Sequence, residues 1–206
     1  MVAPVLPPDA FAKADGTDDA LFYRPVRLVA HIDEVAISAL TAHYRTLIPE
    51  GADVLDLMSS WVSHLPDDLP LGQVVGHGMN AEELRANPRL TRWFVRDLNA
   101  EPTLPLPDAL TDAVLACVGV QYLQRPFEVF AEVARFLRPG GRVVVSFSNR
   151  CFPTKAIQAW LSLGMAGRAR LVSHYLEASA LIEVTANALV DGRRGDPLVV
   201  VSARQR

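Results

Sequence analysis

The chain has 206 residues, half of them apolar, enough for one domain with a sizeable core. Twenty Lys and Arg stand against 23 Asp and Glu, a net charge of −3 that disfavours a general nucleic-acid binder. The two cysteines, Cys117 and Cys151, have no metal-type spacing and read as reduced thiols, and no apolar run nears the roughly 20 residues of a membrane span. A soluble, cytoplasmic protein is expected, since residues 1–8 lack the features of a signal peptide.

Residues 1–20, rich in Pro, Ala and Asp, read as a mobile lead-in to a single domain over 21–206. Within that domain, residues 21–50 form a lid and helix. Phe22, Tyr23, Arg24, Arg27 and His31 come first, then an apolar face from Ile32 to Ile48 at helical spacing, closed by Pro49-Glu50-Gly51. Short apolar runs and helical patterns then alternate. Strands are expected at 52–57, 73–76, 90–95, 113–118 and 142–147, with helices at 81–86 (Asn80 as N-cap), 127–137 and about 154–164. The unbroken run Ala113-Val114-Leu115-Ala116-Cys117-Val118 marks a strand buried on both faces. Residues 186–190 and 197–203, joined by a turn at Asp191-Gly192, read as an antiparallel pair. Such alternation predicts an α/β fold: a doubly wound, mostly parallel seven-stranded sheet with helices on both faces and an antiparallel C-terminal strand. Ligands of such sheets bind beyond the carboxyl ends of the strands, so function is expected just after Leu57, Gly76, Val95, Val118 and Phe147.

From Leu104-Pro105-Leu106-Pro107-Asp108 the chain runs through Asp112-Ala113-Val114-Leu115 and Val120-Gln121-Tyr122-Leu123. It continues through Phe130–Leu137 and Arg138-Pro139-Gly140-Gly141 to Arg142-Val143-Val144-Val145-Ser146. This order of acidic turn, buried strand, helix, Leu-Arg-Pro-Gly-Gly and strand resembles the second half of the class I S-adenosylmethionine-dependent methyltransferase core. It resembles in particular the type 11 group, and a weaker likeness extends over residues 30–203.

That resemblance implies S-adenosyl-L-methionine as cofactor and supplies roles for residues. Asp56 ends the first strand, where the family places an acid before a glycine-rich turn. Here the turn reads Met58-Ser59-Ser60-Trp61 without glycine, and the hydroxyls of Ser59 and Ser60 are the available donors to the cofactor's carboxylate. Gly78 stands where an acid usually accepts from the ribose. Asn80 or Glu82 is the substitute acceptor, and Met79 either lies against the adenine or fills core. Asp97 would accept from the adenine amine and Leu98 offer its N–H; the alternative for Asp97 is a turn cap. Cys117, Val118 and Tyr122 would pass beside the methionine part.

The acceptor side is read from Tyr23, Arg24, His31, Gln121 and Asn149, with Arg150 at the same rim and Phe152 and Trp160 as a further wall. Tyr122, His64 and His77 are the candidates for a general base, none in a spacing that demands the role. No metal cluster, phosphate-binding Gly-Lys-Ser/Thr loop, nucleophile elbow or dinucleotide fingerprint is present in the sequence. The expected activity is methyl transfer to a small-molecule acceptor. The alternative is a module that keeps the fold and has lost transfer, and the residues that separate the two are Met58–Trp61 and Gly78.

Overall fold

The structure is a computed structural model that describes residues 6–206; the first five residues of the expected lead-in lie outside the described residues. Seven strands form one sheet in the order β3-β2-β1-β4-β5-β7-β6. They are β1 (Val54–Leu57), β2 (Val74–Gly78), β3 (Arg92–Val95), β4 (Thr111–Cys117), β5 (Leu137–Phe147), β6 (Ile182–Val190) and β7 (Leu198–Arg204). β1 to β5 are parallel, with Leu55 level with Val75 on one side and Val114 on the other. β7 runs antiparallel to both β5 and β6, so the expected α/β architecture is the observed one.

Alternation along the central strands divides the core. Leu55, Leu57, Val75, Val114, Ala116, Val143 and Val145 face α4 (Pro126–Phe136) and α6 (Met165–Ala178). Val54, Val74, Ala113, Leu115 and Val144 face α2 (Glu34–Leu47), which buries Ala36, Leu40 and Tyr44. Asp33 caps α2 by accepting from the Ala36 N–H at 3.0 Å, and Glu34 follows in the first turn, where the helix dipole favours an acid.

Several elements differ from expectation. α4 ends at Phe136, and Leu137 already pairs with Thr111, so Pro139-Gly140-Gly141 lies inside β5 as a kink and not as a connecting turn. Gly140 has φ +81°, and a Cβ at Gly141 would meet the Arg138 and Asp112 carbonyl oxygens at 2.9 and 3.0 Å. α6 was not expected, because Arg168, Arg170, Ser173 and His174 interrupt the apolar patch of Leu171, Val172, Tyr175 and Leu176. The stretch 154–164 is helical only at α5 (Gln158–Ser162). No helix follows β1: residues 58–73 cross to β2 as irregular chain, burying Leu65 and Leu69 where a helix would otherwise pack.

The lead-in is also packed. Ala10 is fully buried, Phe11 stacks edge-on against Phe127, and Lys13 forms an antiparallel bridge with Ile157. Lys155, with no exposed surface, donates to the Thr17 carbonyl at 2.7 Å and lies 3.2 Å from carboxylate oxygens of Asp15 and Asp19. This buried cation fastens α1 (Asp19–Tyr23) and the chain before it over the carboxyl end of the sheet.

Candidate functional site

Beyond the carboxyl ends of β1, β2 and β4 lies a cavity of about 570 Å³, inside the range of about 300–1,000 Å³ typical of small-molecule sites. Its floor comes from the ends of β1, β2, β3 and β4 and its roof from the segment Tyr23 to Asp33, with Cys151 and Phe152 at one side. Every expected cofactor residue lines it: Asp56, Met58, Ser59, Ser60, Gly78, Met79, Asn80, Asp97, Leu98, Cys117, Val118 and Tyr122. Of the expected acceptor residues, Tyr23, His31 and Gln121 line it. Arg24 and Asn149 do not, and both are exposed.

The turn after β1 is shaped by its neighbours. Met58 takes φ +57°, the left-handed backbone for which glycine is suited, and its side chain fills the space beside Gly119. Ser59 pairs its N–H with the His77 carbonyl at 2.6 Å, and its own carbonyl sits where a Cβ at Gly78 would come within 2.4 Å. Gly78 therefore ends β2 because the adjacent turn leaves no room for a side chain, acidic or otherwise. The serine hydroxyls are already donated: Ser59 to Asp56 at 2.6 Å and Ser60 to Glu83 at 2.6 Å. Their protons are thus held by protein carboxylates, unlike the expected donation to a ligand. Burial pushes the Asp56 carboxyl up to about 6, against the opposing hydrogen bonds from Ser59 and Ser63.

Two of the expected roles are corrected. His77 is buried, with Nδ1 accepting from the Met58 N–H at 3.1 Å and Nε2 placed 2.9 Å from the Arg96 carbonyl. That pairing fixes the neutral ring with its proton on Nε2, and burial lowers its pKa to about 4. With both nitrogens bound to main chain, His77 holds the turn and has no free nitrogen for a substrate proton. Asn80 accepts from Glu82 and Glu83 N–H groups as the cap of α3 (Ala81–Ala86) and donates to the Tyr23 and Arg24 carbonyls. Its side chain is spent on scaffolding, and Glu82 is exposed and does not line the cavity.

Asp97 accepts from the Asn99 N–H through Oδ1, so it is a turn cap, and it also lines the cavity. Tyr122 accepts the Phe152 N–H on its hydroxyl at 2.8 Å, stacks on the Phe152 ring, and burial raises its pKa to about 12. Its hydroxyl therefore keeps its proton at neutral pH. His64 remains among the base candidates by position. It lines the cavity with φ +52°, its carbonyl is anchored by Thr41, and burial and nearby His31 lower its pKa. Gln121 is 1% exposed; Nε2 donates to the Val118 carbonyl at 2.8 Å, and among the described residues Oε1 has no partner. A buried acceptor without a donor in a cavity wall is a place for a ligand N–H or O–H.

Sequence reasoning missed Glu83, whose carboxylate takes the Arg27 N–H and the Ser60 hydroxyl, and Asn99, which joins Asp19 to the Tyr122 carbonyl. Glu83 lies one turn beyond the Asn80 cap, and that spacing was its one signal. Trp61 neither plugs the cavity nor lies beneath it; it lines one wall and donates to the Val29 carbonyl of the roof at 3.0 Å.

A seven-stranded sheet in this order, with one strand reversed and a cavity at the carboxyl ends, is the arrangement to compare with known α/β proteins. Residues 60–145 match the methyltransferase domain family. A malonyl-[acyl-carrier protein] O-methyltransferase of Hahella chejuensis is 28% identical over 156 residues, 72% of this chain and 54% of that protein. A second such enzyme, from Marinomonas sp., is 30% identical over 80 residues, 28% of its length. The chain thus spans about half or less of these curated relatives. Among solved structures, an S-adenosylmethionine-dependent methyltransferase of Archaeoglobus fulgidus superposes with a TM-score of 0.62 at 13% identity, covering 82% of this chain and 94% of that one. Phosphoethanolamine N-methyltransferase 2 of Haemonchus contortus, solved with S-adenosyl-L-methionine, gives 0.59 at 12% identity, with 82% and 52% covered. The chain is thus similar to S-adenosylmethionine-dependent methyltransferases, in the segment 60–145 by sequence and over most of its length by fold. Among the described residues no helix is long and apolar enough to cross a membrane, and no cluster of metal-ligating side chains occurs.

Proposed function

We propose that the protein transfers a methyl group from S-adenosyl-L-methionine to a small-molecule acceptor in the cytoplasm. The observation that carries this reading is the cavity at the carboxyl edge of the sheet, roomy beside Asp97 although side chains replace glycines in the turn after β1. The residues present fit the cofactor. Asp97 and the Leu98 main chain would hold the adenine, Met79 would lie along it, and the unpartnered Oε1 of Gln121 suits the ammonium of the methionine part. The cofactor supplies a sulfonium-bound methyl already reactive toward in-line displacement.

This chain's own contribution is then proximity, alignment and exclusion of water. The roof segment, fastened at its start by Asn80, covers part of the cavity, and the Tyr122–Phe152 stack holds one wall. His64 is the remaining candidate to accept a proton from an oxygen or nitrogen acceptor, because its pKa is lowered and a neutral imidazole stands ready at pH 7. The named activity of the curated relatives favours an oxygen acceptor. A small molecule is favoured over a macromolecule by the size of the cavity, about 570 Å³.

One observation favours a second reading, a binding module without transfer activity: both turn hydroxyls are committed to Asp56 and Glu83, and no helix N-terminus follows β1. Calorimetric titration with S-adenosylmethionine and its demethylated product tests the cofactor binding that the first reading requires, and turnover of the bound cofactor separates it from the second. Binding of either at micromolar strength, about −7 to −8 kcal/mol, is expected. No heat and no thermal shift at millimolar ligand would leave the fold as a scaffold.

A further inference from the structure

Three arginines line the cavity, and two of them are neutralised: Arg150 pairs with Asp196 at 2.9 Å and Arg96 with Glu101 at 2.6 Å. Arg27 has no carboxylate partner among the described residues. Its Nη1 and Nη2 donate to the carbonyls of Pro25 at 3.2 Å and Phe22 at 2.9 Å. The guanidinium lies 4.8 Å from the Phe22 ring centre and 5.7 Å from that of Phe152. Glu83 meets Arg27 through the main-chain N–H and spends its other oxygen on Ser60. His31 also lines the cavity, and partial desolvation lowers its pKa.

A half-buried guanidinium held by two carbonyls and two rings is fixed in orientation and keeps most of its five donors. Carbonyls and ring faces steady a cation without cancelling its charge, and a charge away from water is stabilised by a counter-ion. We propose that Arg27 seats an anionic group of the acceptor, a carboxylate or a phosphate, against the aromatic wall of Tyr23, Tyr122 and Phe152. The inference rests on the methyl-transfer reading for the word acceptor, and on the charge and geometry of Arg27 for the word anionic. Of the two arginines of this segment, Arg24 is exposed and outside the cavity lining, and Arg27 is on the cavity wall.

The test uses the full chain saturated with the demethylated cofactor product, titrated by calorimetry with benzoate, phenyl phosphate and neutral benzamide. One of the two anions is expected to bind at least about tenfold tighter than benzamide, the strength of one charge-assisted contact. Which anion binds distinguishes a carboxylate seat from a phosphate seat. Arg27→Gln should weaken that anion about tenfold or more and leave the cofactor-product affinity unchanged, while Arg27→Lys should restore part of the loss. Benzamide binding as well as the anions, neither anion binding at millimolar concentration, or Arg27→Gln matching the parent would each overturn the proposal. If Arg27→Gln also loses the cofactor product, Arg27→Lys decides: anion binding retained supports the seat, and anion binding lost overturns it. Failure of the parent to bind the cofactor product would sink the methyl-transfer reading alone, because the anion titration on the free protein still tests Arg27.

Discussion

Putting back a side chain at residue 78 should damage the protein even though an acid there is what the methyltransferase resemblance leads one to expect. A Cβ at Gly78 would lie 2.4 Å from the Ser59 carbonyl oxygen and 3.1 Å from Leu84 Cδ2. A comfortable C···O approach is about 3.3 Å, so the turn after β1 must retreat by about 1 Å. That retreat pulls on the Ser59 N–H to His77 carbonyl bond, worth about 1 kcal/mol. Overpacking of this kind costs about 1–3 kcal/mol in its own right. Gly78→Ala is therefore expected to lose about 2–4 kcal/mol, which for a chain of this size lowers Tm by roughly 4–16 °C. Thermal and urea unfolding measure it, with Gly16→Ala as the control, since nothing lies within 4 Å of a Cβ there. Gly78→Asp should do worse, burying a carboxylate as well. A Gly78→Ala protein with unchanged Tm, or a Gly78→Asp protein that binds the cofactor more tightly, would refute the steric account.

Asp56 and His77 should make opposite contributions to acid stability. The unfolded chain protonates His77 from about pH 6.5 downward and the folded chain only near pH 4, so stability falls with pH through that window. Asp56 titrates near 6 folded and 3.8 unfolded, so protons favour the folded state between pH 6 and 4 and offset the loss. Asp56→Asn should uncover a decline of about 3 kcal/mol from pH 6.5 to 4 in urea midpoints, and curves parallel to the parent would contradict it. Lys155→Met leaves Asp15 without its buried cation and Asp19 with Lys13 alone; a loss of about 2–4 kcal/mol and faster hydrogen exchange over residues 10–19 are expected, and unchanged exchange there would show the fastening is elsewhere. Asp97→Ala should weaken the cofactor product about tenfold by calorimetry with the fold intact, and equal affinity would remove Asp97 from the adenine site.

The architecture was readable because its signals are local. Ala113–Cys117 is apolar at every position because both sheet faces are covered, and Asp33 and Asn80 cap their helices with residues suited to nothing else there. The cavity wall was readable for the same reason: in a doubly wound sheet it must follow the strand ends, and the expected cofactor residues all came to it. Hydrogen-bond partners across the chain were not readable. Nothing in the sequence near His77 says that its ring will hold Met58, nor near Ser60 that its hydroxyl will go to Glu83. The missing helix over residues 58–73 was hidden too, because Leu65 and Leu69 pack on the sheet without helical periodicity. α6 escaped because its buried residues form a narrow patch among arginines.

The crossing from β1 to β2 has a wider meaning for how this cavity can change. A helix satisfies its own main chain, whereas residues 58–73 borrow fasteners from strangers: Thr41 secures the carbonyl of His64, Asn87 that of Ser60, and Trp61 in turn grips Val29. The outline of the pocket is thus written partly by positions that never touch its contents. Drift or deliberate redesign at Thr41 or Asn87 would remould the chamber from outside, a lever that a helical crossing would withhold.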